Sequence, residues 1–389
     1  MKTEIISSII RASRLGVVLL AMLSMLVGCD RSEDAVQQKE QAKIPHTLKV
    51  VGLFPMTGPG ASLGTFLNNG VTLAKEKLEQ DYHGKLKIEF EVVDTKNQPK
   101  EAISGLHSAT ARSKPHAVIS ALSSVSSAIK PVVESEGIFT VATTTALSNL
   151  VQGTHNIIRV YPTATNFARP IAHYAKKHFT RTAVLYVHDD FGESVYQAFK
   201  QAVSSSQVQI VSANPYELLQ KDTRTLIDRI LGDKPEAIYV IGYGPAYVNV
   251  IKQIRELSPE TNVLADISFP NPAVLAALGD AAEGVIFDGT DAELTTPETE
   301  SATHFRRLYI ERFNADPFMV AGFAYDALAV IAQVAMSREQ FTSPTKAGAI
   351  RLSPFEGIMG TIQLDQDGES NIDLKLMTRV DRKTVLLNE

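Results

Sequence analysis

The feature that most constrains this chain is an alternation of short β-branched runs with longer amphipathic stretches, which begins at Leu48 and restarts at Ile157. The first set offers strands at Leu48–Phe54, Ile88–Asp94, Ala117–Leu122 and Phe139–Ala142. Between them Gly64–Gln80, Pro99–Lys114 and Ser126–Glu136 have helical spacing; Leu67, Val71, Ala74 and Leu78, for example, fall on one face. The second set reads strand Ile157–Tyr161, helix Asn166–Lys177, strand Thr182–His188, helix Phe191–Ser204 and strand Val208–Val211. It continues with a helix from an Asp222 N-cap through Leu231, strand Ala237–Tyr243, helix Ala246–Leu257, strand Asn262–Ile267, helix Pro272–Leu278 and strand Gly284–Asp288. Strand–helix alternation of this kind predicts an α/β fold of doubly wound parallel sheets with right-handed crossovers. Two long helical stretches follow, Glu298–Phe313 and Pro317–Ser337, whose apolar stripes need a lobe to cover. A final hairpin is expected from Thr361–Leu364 to Asp373–Val380, turning at Asp367-Gly368.

The segment ahead of this pattern reads as an address. Lys2, Arg11 and Arg14 make a positive start, and Leu15 to Val27 carries no charge. That run is too short to cross about 30 Å of hydrocarbon as a helix. It ends Leu26-Val27-Gly28-Cys29, a lipobox, which predicts a lipoprotein signal peptide over 1–28 and acylation of Cys29. Cys29 is the only cysteine, so no internal disulfide is possible. Asp30 resembles the signal that keeps Gram-negative lipoproteins on the periplasmic face of the inner membrane; in a Gram-positive host the anchor places the chain on the extracytoplasmic membrane face. Residues 29–45 are mostly polar and read as a flexible tether. The net charge of −5 leaves no basic footprint for nucleic acid.

Several stretches carry a family resemblance. Val51-Gly52-Leu53-Phe54-Pro55-Met56-Thr57-Gly58-Pro59 opens the body with a strand and a Thr-Gly-Pro turn. Val92-Val93-Asp94 with Asn97 and Pro99, then Leu122-Ser123-Ser124, Glu136-Gly137-Ile138 and Thr143-Thr144-Thr145, follow in order. Asp189-Asp190-Phe191-Gly192-Glu193, Gly242-Tyr243, Ala282-Glu283-Gly284 and Phe323-Ala324-Tyr325-Asp326-Ala327 complete the series. Together these resemble type I periplasmic binding proteins of the leucine/isoleucine/valine-binding branch, over about Leu48 to Val380. The resemblance implies two Rossmann-like lobes joined by a three-segment hinge, with a ligand in the cleft. The expected lobes are 46–163 plus 291–372 and 164–290 plus 373–389. It further implies a small-molecule ligand, an amino acid or a related amide or carboxylate, passed to an ABC transporter permease, with no cofactor.

In open α/β sheets ligands bind beyond the carboxyl ends of the strands, at the switch point. Those ends carry Pro55-Met56-Thr57, Ser123-Ser124, Thr143-Thr144-Thr145, His188-Asp189-Asp190-Phe191, Tyr243 and Asp266-Ile267-Ser268. Ser123 and Ser124 stand at a helix start, where hydroxyls and free N–H groups suit a carboxylate; simple N-capping explains the same residues. By resemblance Thr144 and Thr145 hold the ligand's α-carboxylate and ammonium, although three threonines in a strand tail are also ordinary β formers. Tyr243 corresponds to a tyrosine that packs on the ligand, or packs under a loop. Phe191 falls where relatives carry Tyr, and Leu63 where some place a Tyr. Asp266 is the acid nearest to the family's ammonium partner, which aligns with Ile267. An ammonium buried without a partner costs several kcal/mol, so an Asp266 turned away from the cleft argues against an α-amino acid.

Other constellations fall short of chemistry. Gly58-x-Gly60-x-x-x-Gly64 is one residue too long for a dinucleotide loop, and no Gly-Lys-Ser/Thr phosphate loop or Gly-x-Ser-x-Gly elbow exists. His188-Asp189-Asp190 reads first as structural rather than as a metal site, and His173 and His178 are five apart rather than four. The expectation is therefore a binding protein with no catalytic residues and no metal. The rival readings are a ligand-sensing or scaffold lipoprotein acting on a partner protein, and a hydrolase, which lacks a nucleophile–base pair.

Overall fold

The structure is a computed structural model that describes residues 46–337 and 341–387. The expected signal peptide, tether and Cys29 lie outside the described residues. The described chain separates into a small unit, 46–47 with 79–87, and a large one, 48–78 with 88–387. Within the small unit Lys85 N–H donates to the Tyr82 carbonyl (2.9 Å) and His46 N–H to the Lys85 carbonyl (2.8 Å).

The first set of elements is β1 (His46–Phe54), α1 (Ala61–Asp81), β2 (Leu86–Asp94), α2 (Pro99–Ser113), β3 (Ala117–Ala121), α3 (Ser123–Glu136), β4 (Phe139–Thr143) and β5 (Ile157–Arg159). The second is α4 (Ala164–His178), β6 (Arg181–Val187), α5 (Asp190–Val203), β7 (Gln209–Tyr216), α6 (Arg224–Gly232), β8 (Ala237–Ile241), α7 (Gly244–Leu257), β9 (Asn262–Ala265), α8 (Pro272–Leu278) and β10 (Ile286–Gly289). Then come α9 (Glu300–Phe313), α10 (Met319–Ala335), α11 (Lys346–Leu352), β11 (Phe355–Gly357), β12 (Gly360–Ile362), β13 (Lys375–Val380) and β14 (Lys383–Leu386).

The first sheet has the order β2-β1-β3-β4-β5, with β1, β3, β4 and β5 parallel. The second has the order β14-β13-β10-β9-β8-β6-β7; β10 through β7 are parallel, and β13 and β14 add antiparallel at the edge. Strands β3, β4 and β8 are buried at every residue, as strands covered by helices on both faces require. Pro215, which lacks an N–H for the ladder, lies in β7, the edge strand. In each sheet the first strand is flanked by the second on one side and the third on the other. The switch points are therefore β1/β3 and β6/β8.

After β10 the chain returns to the first sheet. The apolar helix α10 packs on β3 and β4, and α11 packs on β5. A Cβ on Gly70 of α1 would stand 1.9 Å from the Ala321 carbonyl oxygen of α10, so only glycine permits that approach. The chain thus passes between the sheets three times: after β5, after β10 and before β13. The first and third passages are tied together. Arg159 N–H donates to the Gly368 carbonyl (2.9 Å), and Tyr161 N–H donates to Ser370 Oγ (3.3 Å). The buried Arg159 guanidinium meets the Glu369 carboxylate twice, at 2.6 and 2.5 Å.

Two local expectations are corrected. The expected final hairpin does not form: β12 pairs with β11, and β13 pairs with β10 and β14. The Asp367-Gly368 turn itself forms, closed by Asp365 N–H donating to the Glu369 carbonyl (2.9 Å), but the pairing beyond it is confined to an isolated Leu364–Ser370 bridge. Burial explains the choice, because pairing with β10 places Met377 in the core, fully buried. The N-cap of α6 is Thr223 rather than Asp222, although Asp222 Oδ1 accepts from Arg224 N–H (3.1 Å).

Candidate functional site

The two switch points face one another across a cavity of about 30 Å³. From the first sheet's side come Leu63, Leu122, Ser123, Ser124 and Thr144. The second contributes Asp189, Phe191, Tyr243 and Ser268, and Tyr161, Phe318 and Val320 stand beside the passages between the sheets.

The floor on the first side is the start of α3. Its N-cap is Leu122, held at φ +72°, and no side chain caps the helix. First-turn N–H groups without a side-chain cap, at the positive end of a helix dipole, suit an anion. Ser123 Oγ accepts from Ala146 N–H (3.3 Å) and from Thr145 Oγ (3.4 Å), which locks the β4 tail beside the helix. The residue before these in the tail, Thr144, has φ +50°, an uncommon conformation for a β-branched residue. Its hydroxyl is buried and has no hydrogen-bond partner among the described residues. Strained backbone of this kind clusters at ligand sites, where the surrounding structure holds it.

The opposite wall is built from the β6 and β8 ends. Asp189 caps α5 through Oδ1, which accepts from Gly192 N–H (2.9 Å), while Oδ2 accepts from the Tyr243 hydroxyl (2.6 Å). A Cβ on Gly192 would lie 2.0 Å from the Val187 carbonyl oxygen, so the turn that aims Asp189 at the cavity requires glycine there. Burial raises the Asp189 carboxyl above its ordinary value despite both bonds. Burial and then the Asp189 charge push the Tyr243 hydroxyl well above its ordinary value. The Phe191 ring meets Tyr243 edge-on at 6.0 Å. Asn97, from the loop after β2, donates through Nδ2 to the Tyr243 hydroxyl (2.9 Å) and so bridges the two sides of the cleft.

Of the residues named from sequence, Ser123, Ser124, Thr144, Phe191 and Tyr243 line this cavity. Thr145 lies behind it, fully buried, with its carbonyl accepting from Arg159 Nη1 (3.0 Å). Asp266 does not line it either. Its carboxylate turns back onto its own loops, accepting from Gly242 N–H (2.7 Å) and Ser268 N–H (2.9 Å), and burial raises it to about 7. Its place as the acid of the wall belongs to Asp189. The strand-end rule reached Asp189 and Ser268 but could not say which side chain turns inward. His188, beside Asp189, is exposed and bonds Glu217 at 2.9 Å. Phe318 and Val320 had no local signal, because they arrive on a helix remote in sequence.

A family profile described as periplasmic binding protein matches residues 47–384. The chain belongs to that family. The family of this periplasmic binding protein consists of solute-binding proteins rather than enzymes, and the relatives it resembles are of the type I, branched-chain amino-acid branch. It is 22% identical over 332 residues to the leucine-, isoleucine-, valine-, threonine- and alanine-binding protein of Pseudomonas aeruginosa, covering 83% of this chain and 87% of that one. Its fold is similar to that of the branched-chain amino-acid transporter substrate-binding protein LivJ from Streptococcus pneumoniae in complex with isoleucine. That match has a TM-score of 0.79 and 20% identity, and covers 87% of this chain and 98% of the other. A solute-binding protein of an ABC transporter from Rhodopseudomonas palustris, in complex with 3,4-dihydroxybenzoic acid, matches at TM-score 0.78 and 20% identity, covering 87% and 95%. Among the described residues of the binding protein no helix is long and apolar enough to cross a membrane.

Proposed function

We propose that this chain is a lipid-anchored extracytoplasmic solute-binding protein that captures a small α-amino carboxylate between its two sheets and delivers it to an ABC permease. The observation that carries the reading is the meeting of both switch points at one cavity. On one side is an uncapped helix start with hydroxyls; on the other, a half-buried carboxylate. The ligand carboxylate accepts from the first-turn N–H groups of α3, from Ser123 or Ser124, and from the unpartnered Thr144 hydroxyl. The ammonium meets Asp189, which supplies the charge that Asp266 withholds. Tyr243 and Phe191 form an aromatic wall. A ligand touching both sides stabilises the closed arrangement over the open one, and the permease reads that state. In this reading the lobes are 46–163 with 291–372 and 164–290 with 373–389, which agrees with the sheet membership of β13 and β14.

A ligand of about ten heavy atoms reaches micromolar affinity, about −8 kcal/mol, within known ligand efficiencies. A thermal-shift panel of amino acids, aromatic acids and short carboxylates tests the reading, because a saturating ligand raises Tm by linkage. An α-amino acid should give the largest shift, and Asp189→Asn should abolish it. No shift from any member overturns the proposal. Labelled fatty acid incorporated by the wild-type precursor and not by Cys29→Ser tests the anchor.

A further inference from the structure

The cleft cavity adjoins a second, much larger chamber of about 420 Å³, and Leu63, Tyr243 and Ser268 line both. Pro59 and Ser62, just before and at the start of α1, form one side of the chamber. The other is one face of α7, Val248, Asn249 and Lys252, together with Val274 and Ala277 of α8. Asn249 and Lys252 are three residues apart, so both present to the same side of the helix. Lys252 is the single charged residue of the wall, is half-buried, and makes no ion pair among the described residues. Asn271, also in the wall, spends its side-chain oxygen on Ala273 N–H (2.9 Å), which leaves its amide nitrogen as a donor. The chamber is therefore apolar along its length, with a cation and amide donors in its wall.

Size separates the two spaces. A cavity of about 30 Å³ has room for about two water-sized groups. The contrast in size points a ligand's polar head toward the inner cavity and leaves the chamber for the rest of it. Building on the α-amino carboxylate reading above, we infer that the ligand is elongated and doubly headed: its amino-carboxylate end sits in the inner cavity, and an unbranched chain runs past Tyr243 to a second anionic group on Lys252. The class is the α-amino dicarboxylates with a long spacer, rather than branched-chain amino acids, which carry no second anion for that cation.

Isothermal titration of the purified chain with matched pairs tests this. In α-aminoadipate against norleucine, and α-aminopimelate against α-aminoheptanoate, head and length are the same and only the distal carboxylate differs. The dicarboxylate of at least one pair should bind about fivefold tighter, the effect of ~1 kcal/mol for a partly exposed ion pair. Added salt should narrow the gap, and lysine, with a distal cation, should bind more weakly than norleucine. Lys252→Met should erase the preference, bringing the two members of each pair to equal affinity. Equal affinities within both pairs, or a preference that Lys252→Met retains, overturns this inference while norleucine binding keeps the proposed function standing. If none of these amino acids binds, the amino-carboxylate head fails, and the inference fails with it.

Discussion

Replacing Tyr243 by Phe separates closure from folding, because its hydroxyl makes two bonds of different kinds. The bond to Asp189 joins two residues on one side of the cleft, so under the proposed hinge closure it persists in both arrangements. The bond from Asn97 crosses the cleft, so under that proposal it exists only in the closed one. Losing the first destabilises both arrangements alike and lowers Tm. Losing the second penalises the closed arrangement alone, where the Asn97 amide is already short of one partner, at Oδ1. A lost hydrogen bond that leaves a buried donor unsatisfied costs about 1–3 kcal/mol. Charged to closure, that weakens ligand binding about 5- to 150-fold. The ring and its contact with Phe191 remain. The assay is isothermal titration on Tyr243→Phe, Asn97→Ala and the double variant, using the amino acid with the largest thermal shift. The double variant should be little worse than either single one, since both remove the same bond. Effects that add to within about 0.3 kcal/mol, or a Tyr243→Phe that binds as wild type, refute the argument.

Three more outcomes follow from the structure. Thr144→Asn puts a residue that tolerates φ +50° at the strained cavity position, so urea unfolding should show a gain of roughly 1 kcal/mol while ligand affinity falls; a loss of stability contradicts the strain argument. Glu369→Gln leaves the buried Arg159 without its counter-charge between the first and third passages, and should lower unfolding free energy by about 3 kcal/mol; a change under about 1 kcal/mol speaks against that role. Burial raises the carboxyls of Asp266, Glu293 and Asp326 to about 7, and that of Asp288 well above its ordinary value. A folded-state value above the unfolded one means the native chain binds the proton more tightly. For Asp266, Glu293 and Asp326 the stability contributed is therefore complete below about pH 4 and lost as pH rises through about 7, at up to ~1.4 kcal/mol per group per pH unit, and for Asp288 it is lost in the same direction as pH rises. Neither Asp288 oxygen has a hydrogen-bond partner among the described residues, so Asp288→Asn should raise Tm more at pH 8 than at pH 5; equal shifts at the two pH values sink the argument.

The order and kind of the regular elements were legible because they are local. Periodicity in Leu67, Val71, Ala74 and Leu78, and the apolar runs at Ala117–Ala121 and Ala237–Ile241, each predict a buried helix face or a covered strand without reference to the rest of the chain. The strand-end rule likewise named most of the cavity wall. It failed where the deciding term was a contact far away in sequence. Lys375–Val380 had an obvious hairpin partner nearby, yet burying Met377 beside β10 won.

Strand–helix alternation and the positions of the strand ends thus follow from the amino-acid order itself, since propensity, periodicity and turn chemistry act over a few residues. The acid that faces the ligand was decided only by tertiary structure. Asp266 and Asp189 both end strands of the same sheet, and nothing in their flanking residues tells them apart. The loop amides of Gly242 and Ser268 draw Asp266 inward. Helix α5 and the Tyr243 hydroxyl hold Asp189 at the wall. Phe318 and Val320 close the cavity because α10 must bury its apolar length on β3 and β4.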